Sequence, residues 1–522
     1  MSETERPTPT PSRASRLWRS LWRTHFYAGV IAGPILVLFA LTGLVILYTE
    51  PIQNALDGDV RTVAAGSETV SLDTQRAAVV RAHPDLMIMS VTPPKDDTSS
   101  TRFSVMTDDD VYSTVFVDPH TGTVLGRRAD GGGIVGLANR LHGSLNTDGW
   151  TIPFPTLAGI FGDGGSVFEP MSVGDLALEV FAGWGLILAL TGIYLWWPRK
   201  AGTGKALFVP RLRKRGRARW RDLHAVSGSV LGVMAIFFVV TGLPWSAAWG
   251  GSWSWLASKA TPNETNFWED AAPPSKVART GDLDRIGNRI PWATRENNVP
   301  ASDGAGGDHD HGSMEAMPGM PAMGASTGSA PAGVAVPATV SLDLVAQAAD
   351  EEGMLPGFTI NLPTNDLTDA KHPAYGSFVV FNPWPSDIGN QGALYLDQFS
   401  AATLGRSTAE QWGALPWATE LGVQTHMGTQ FGIASRIVMT VSCVLMICSF
   451  GTAVVMWNKR RRGSIGLPRR PVDVRLQRVV GISALVLAVV YPLWGTSLVL
   501  VLLFDRYVIR RVPRLRAAFG MR

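Results

Sequence analysis

Cysteine is nearly missing from this chain: 522 residues hold two, Cys443 and Cys448, both inside one apolar run. That excludes a disulfide scaffold and a thiolate metal centre, and leaves both as small residues within a helix. Net charge is almost missing as well, at +3 from 46 Lys and Arg against 43 Asp and Glu. What the chain does have is several apolar runs longer than 18 residues, so a wholly soluble protein is excluded.

The clear spans cover 26–48, 176–197, 226–249 and 431–457, each long enough to cross a hydrocarbon layer of about 30 Å as a helix. The first is retained rather than cleaved, because its run of about 23 apolar residues exceeds the 7–15 of a signal peptide. Basic residues collect at cytoplasmic flanks. The N-terminal arm 1–25, the loops 198–225 and 458–478 and the tail 505–522 together hold 29 Lys and Arg but 5 Asp and Glu, which leaves 17 basic and 38 acidic residues elsewhere. The near-neutral total thus hides a basic inside and an acidic outside, with the N-terminus cytoplasmic in a plasma or inner membrane. Because the basic segments alternate with spans, membrane flanking explains them and nucleic-acid binding does not. The last apolar stretch, 479–504, reads as a re-entrant hairpin turning at Tyr491-Pro492, with a fifth span as the alternative.

Two regions then face outward, 49–175 and 250–430, and each carries a helix followed by strands. In the first, 72–82 has helical spacing, followed by strand-like 102–106 and 112–118, a turn at Pro119-His120-Thr121-Gly122, and 124–125. In the second, 342–349 precedes 357–361, 377–382 and 393–397. Similar order points to an internal duplication of a small α+β module. Between them lies a low-complexity insert, 301–337, with the composition of a disordered segment. It holds His309 and His311, then Met314, Met317, Met320 and Met323 at a strict three-residue step. Imidazole and thioether suit copper(I) or a similar soft ion; a linker without ligand function is the plainer reading.

The most informative pattern repeats between the first and third spans. His25, Gly29, Gly33, Thr42 and Gly43 have the spacing of His224, Gly228, Gly232, Thr241 and Gly242. At 100° per residue, offsets of 4, 8 and 18 return to within about 80° of the histidine, so each imidazole stands above a glycine groove that admits a flat ligand. His142 and His426 lie on the outward side, the second just ahead of the fourth span. Ionisable residues at membrane depth are costly and point to function. An inner pair, His25 with His224, and an outer pair, His142 with His426, are what two bis-histidine haems stacked across a bilayer require. No Cys-x-x-Cys-His occurs, so the haem is b-type. Against this stands a simpler possibility, in which small residues only let helices pack and the histidines sit among headgroups. His83, His120 and His372 read as loop residues. Trp196, Trp197 and Trp457 read as interface anchors. Trp245, Trp249, Trp253, Trp255 and Trp384 are candidates for an outer aromatic platform.

Several segments resemble the PepSY-associated transmembrane helix family: Trp22-Arg23-Thr24-His25, the run from Leu190 through Trp196-Trp197-Pro198-Arg199, Arg221-Asp222-Leu223-His224, and Thr241-Gly242-Leu243-Pro244-Trp245. The strand-turn-strand from Val115 to Leu125, and Leu394-Tyr395-Leu396-Asp397-Gln398, are similar to PepSY modules. The likeness covers nearly all the chain outside the insert. Among its characterised kin are iron-regulated membrane proteins and ferric-siderophore reductases. The resemblance implies haem ligation by His25, His142, His224 and His426, and reduction of ferric chelates outside the membrane. The sequence-level expectation is therefore a mainly α membrane protein with four long spans, a C-terminal hairpin or fifth span, and two extracytoplasmic α+β PepSY-like modules. It carries electrons to a docked metal complex. No G-x-G-x-x-G follows a strand in the basic loops, so the donor is a quinol or a partner protein. Two rivals remain open: a copper-handling protein, and a PepSY regulator or sensor without catalysis.

Overall fold

The computed structural model describes residues 13–147, 149–161, 166–197, 209, 211, 213, 215–260, 279–283, 290–295, 297–302, 338–365, 374–460, 482, 485 and 491–518. His309, His311, Met314, Met317, Met320, Met323 and His372 lie outside them, as do most of the basic loops and nearly all of the first arm of the expected hairpin. In chain order the main helices are α1 (Arg13–Leu47), α2 (Leu72–Ala82), α3 (Gly133–Ser144), α4 (Val173–Trp196), α5 (Arg217–Gly242), α6 (Ala248–Ala260), α7 (Leu342–Glu351), α8 (Ala414–His426), α9 (Ile433–Arg460) and α10 (Pro492–Phe504). The chain divides into two compact units.

The first unit comprises Met1–Leu47, Ala138–Trp253 and Ile437–Arg522. Among the described residues five helices are long and apolar enough to cross a membrane: Leu17–Leu47, Val173–Trp196, Arg217–Trp245, Ile433–Arg460 and Pro492–Ile509. Helix α4 packs against α1, α5 and α10. Gly183 lets the Trp494 ring lie directly on the α4 backbone. Trp184 donates its indole N–H to Ser497 Oγ at 3.1 Å, and Tyr491 donates its hydroxyl to the Glu179 carbonyl at 2.6 Å. Pro492 opens α10 at a position where a missing N–H costs nothing. The second arm of the expected hairpin is thus a membrane-length helix docked on α4. The Glu179 side chain, only 1 % exposed, accepts the Trp249 N–H at 2.8 Å, satisfying a backbone donor that the first turn of α6 leaves free.

The second unit comprises Tyr48–Leu137 and Ser254–Arg436. Its strands are β1 (Met87–Thr92), β2 (Thr101–Met106), β3 (Tyr112–Val117), β4 (Val124–Ala129), β7 (Thr359–Asn361), β8 (Phe378–Phe381), β9 (Gly392–Leu396) and β10 (Thr403–Thr408), while β5 (Thr151–Pro155) and β6 (Phe168–Ser172) form a separate hairpin in the first unit. The eight strands make one antiparallel sheet in the order β10-β9-β8-β7-β1-β2-β3-β4. The two segments expected to form separate modules therefore meet edge to edge. At the junction Ser90 faces Asn361 and Val91 faces Ile360, and the hydroxyls of Thr92 and Thr359 lie 2.9 Å apart. Helices α2 and α7 cover one face, closing a single core that includes Val79, Val91, Phe103, Val115, Val345, Ile360, Val380 and Leu394.

The halves correspond in detail. Ser71-Leu72-Asp73 opens α2 and Ser341-Leu342-Asp343 opens α7, each serine capping its own helix. The aspartates exchange partners: Asp343 accepts the Leu72 N–H at 2.9 Å, and Asp73 accepts the Leu342 N–H at 3.0 Å. The turn after β3 bonds Gly122 N–H to Asp118 O at 2.8 Å, and the turn after β9 bonds Ala401 N–H to Asp397 O at 2.9 Å. Gly122 and Ala401 share the left-handed conformation, with φ of 71° and 59°. Gln398 sits where the insert leaves and re-enters the fold. Its N–H bonds Ser302 Oγ at 2.9 Å, and its carbonyl accepts the Val340 N–H at 2.9 Å.

Two strands of this sheet escape the sequence reading, as does the β5–β6 hairpin of the first unit. Met87–Thr92 has no polar alternation, because both its faces are covered, and Thr403–Thr408 is a polar edge strand. Replacing Asp73 by Ala is expected to destabilise this unit by about 1 kcal/mol, and Asp343 by Ala similarly, since each removes the acceptor of the first N–H of the other helix while the serine caps remain. Chemical denaturation of the purified protein measures both.

Candidate functional site

The first unit brings His25 and His224 together. Their ring centroids lie 6.2 Å apart at an interplanar angle of 70°. His25 on α1 places Nδ1 3.0 Å from the Leu188 carbonyl and 3.1 Å from Thr191 Oγ1, both on α4. A carbonyl only accepts, so Nδ1 carries the proton. The Thr191 hydroxyl donates to Ile187 O at 2.6 Å, which leaves its oxygen to accept as well. His224 on α5 repeats this toward α9, with Nδ1 3.0 Å from Ser449 O and 3.3 Å from Thr452 Oγ1, while the Thr452 hydroxyl donates to Ser449 O at 2.7 Å. Each ring is thereby fixed as the tautomer whose Nε2 holds a free lone pair, the form in which imidazole binds metal.

Glycine positions below the histidines are points of close helix approach. A Cβ at Gly33 would come within 2.5 Å of the Phe450 ring, and one at Gly232 within 2.9 Å of Ile193. Gly29 lies against Leu188 and Gly228 against Ser449 at ordinary contact distance. The open groove expected along each helix is therefore filled at its far end, where Phe450 and Ile193 pack into the space that Gly33 and Gly232 leave.

His142, near the end of α3, approaches α1 at Thr42 and Gly43, seventeen and eighteen residues beyond His25. Its Nδ1 lies 2.9 Å from Thr42 Oγ1, its ring centroid 5.3 Å from that of Phe39, and its Cε1 against Gly43. The Thr42 hydroxyl donates to Leu38 O at 2.9 Å, so its oxygen receives the histidine proton, as Thr191 does for His25. Burial lowers the His142 pKa to about 4, and the ring is neutral.

The family model of the PepSY-associated TM region matches residues 22–460. The chain belongs to that family. It is a multi-pass membrane protein. No curated protein matches it.

In the second unit of this PepSY-associated protein, His426 is the last residue of α8 and is half-buried. The same helix carries a residue that no motif in the chain singles out. Glu420 is fully buried, accepts the Ala293 N–H at 3.1 Å and lies 3.4 Å from Gln424 Nε2. Burial raises its pKa to about 7, against the backbone N–H groups and the Gln424 amide that favour the charged form. Within 414–426 it meets the neutral amide of Gln424, and its burial becomes visible in the packed structure. His120 is exposed and its two ring nitrogens face carbonyls, Glu68 O at 2.7 Å and Asp97 O at 2.9 Å, which raises its pKa. It clasps two loops. His83 ends α2 as its C-cap. Of the five tryptophans considered for a platform, Trp245, Trp249 and Trp253 belong to the first unit and Trp255 and Trp384 to the second; Trp249 packs edge-on to Tyr491, with centroids 5.6 Å apart. Among the described residues no group of three His, Cys, Asp or Glu side chains is placed to hold a metal ion.

Glu420 sets a pH dependence. Its folded pKa lies above its unfolded value, so the stability linked to its protonation is complete below about pH 4.5 and is lost as pH rises through 7. Thermal unfolding of the second unit should shift to lower temperature between pH 5 and pH 8, and Glu420→Gln should flatten that slope.

Proposed function

We propose that this protein is a membrane electron-transfer protein that holds haem b on His25 with His224 and on His142 with His426, and that it reduces a ferric chelate on the outer side of the membrane, as a ferric-siderophore reductase does. The observation that carries the reading is the inner histidine pair. His25 and His224 would hold the haem iron through Nε2, the imidazole form that binds metal. The ring centroids of His25 and His224 lie 6.2 Å apart. Both also have their Nδ1 protons committed to backbone carbonyls on neighbouring helices, which leaves both Nε2 atoms as donors. Haem bound there supplies a one-electron couple whose potential the axial ligands and the surrounding dielectric set.

The chain's own residues do the positioning. Thr191 and Thr452 hold the ring planes and strengthen the imidazole donors through their Nδ1 protons. Gly29 and Gly228 add no side chain of their own on the face of each histidine. Thr42 and Phe39 hold the His142 ring in place, and His426 at the end of α8 is its proposed partner as outer ligand. The charge distribution orients the protein with its N-terminus and basic loops in the cytoplasm, and with the sheet-bearing unit outside a plasma or inner membrane. The ferric chelate is substrate. Hard oxygen donors hold Fe(II) less tightly than Fe(III), so one-electron reduction releases the metal. A quinol or a protein partner supplies the electron.

Protein purified after expression with ample haem is expected to show a b-type reduced-minus-oxidised spectrum that a quinol or reductase elicits. His224→Ala should remove one of the two spectral components while the far-ultraviolet signature of the sheet persists. Colourless protein under these conditions would end the haem reading.

A further inference from the structure

The β5–β6 hairpin of the first unit carries an apolar surface that neither the histidines nor the sheet explains. Trp150, Ile152, Ile160, Phe161, Val167 and Phe168 are 73 %, 45 %, 49 %, 67 %, 42 % and 56 % exposed. Six large apolar side chains this close in sequence exceed the scattered singletons of an ordinary aqueous surface. The segment 150–172 contains no Lys, Arg or His, and its acidic residues are Asp163 and Glu169. Ile152 pairs with Met171 and Pro155 with Phe168 in the ribbon, so Met171 and Phe168 lie on opposite faces. Met171 packs inward with Leu176 and Ala248, which leaves the Phe168 face turned away from the core.

The hairpin is continuous with a span. Strand β6 ends at Ser172, and α4, which is long and apolar enough to cross the membrane, begins at Val173. The Val173 N–H bonds Trp150 O at 2.8 Å, so Trp150 lies beside the first residue of that helix. The exposed apolar face therefore stands where a span meets the membrane–water boundary, the level at which tryptophan and other aromatic rings are favoured. Pro153, Pro155 and Pro170 remove N–H donors from the two strands. A ribbon so depleted is poorly suited to adding a strand from a second copy, and it carries fewer unpaired donors into the interface. Its open edges also limit the depth, because unpaired backbone groups are not tolerated among acyl chains.

We propose that residues 150–161 and 166–172 form a membrane-surface anchor, with Trp150, Phe161 and Phe168 seated in the interfacial layer of the phospholipid leaflet that α4 enters. The base of the hairpin transmits that depth to the end of α3, because Thr147 bonds Ser144 O at 2.9 Å and its hydroxyl lies 3.3 Å from Ser172 Oγ. The anchor thus holds His142 at a fixed level, whatever that histidine binds.

The test uses the full-length protein with Cys443→Ser, Cys448→Ser and Phe161→Cys, labelled with an environment-sensitive fluorophore in nanodiscs of phosphatidylcholine and phosphatidylethanolamine. A control label goes at Thr121→Cys, on the exposed turn of the second unit. At position 161 the emission should shift to the blue, and lipids spin-labelled near the headgroup should quench it more than lipids labelled deep in the chain; the label at 121 should show neither effect. Emission at 161 matching that of the water-exposed label at 121 overturns the proposal. So does a blue shift that vanishes when discs hold a single copy, which would mark a contact between copies. Far-ultraviolet circular dichroism identical to the parent keeps the reading on a folded protein, and Phe168→Cys repeats the measurement should Phe161→Cys fail to fold.

Discussion

A backbone carbonyl inside a transmembrane helix already accepts one hydrogen bond from its own helix, and its second lone pair is what the inner histidines depend on. Leu188 and Ser449 offer that lone pair, and the imidazoles of His25 and His224 reach across from neighbouring helices to take it. Away from water an unpaired Nδ1 proton is expensive, so this contact fixes ring plane, tautomer and helix register together. Thr191 and Thr452 reinforce it without costing the helices a bond, because each hydroxyl donates within its own helix and accepts from the histidine. The free Nε2 atoms follow from that arrangement.

The second unit solves a different problem by duplication. A half-module of one helix and four strands would expose the edge of its first strand. Pairing β1 with β7 removes both inner edges at once. The crossed aspartates then join the two helices where each has backbone donors left over. The sheet and the helix layer are each joined at the middle by groups that neither half can satisfy alone.

The histidine repeat was legible because a helix writes its faces into fixed spacings, and two helices wrote the same one. The partners of those histidines were not, since nothing local in the sequence of α4 or α9 says which helix will lie alongside. Thr191 precedes a glycine just as Thr42 and Thr241 do, and that recurrence is the one hint the sequence held. The helices of the second unit were readable from Leu72 and Leu342 onward, whereas β1 was hidden by burial on both faces. Prolines at 153, 155 and 170 masked the β5–β6 hairpin by interrupting the alternation that marks a strand. Glu420 left no trace because burial, and not sequence context, gives it its character.

Gln398 has an architectural effect of its own. Its amide N–H and carbonyl tie down Ser302 and Val340, so the polypeptide departs from the sheet and returns to it at a single residue. One residue thus clamps both ends of the intervening chain, so the number of residues between 302 and 340 can change without shifting either attachment point.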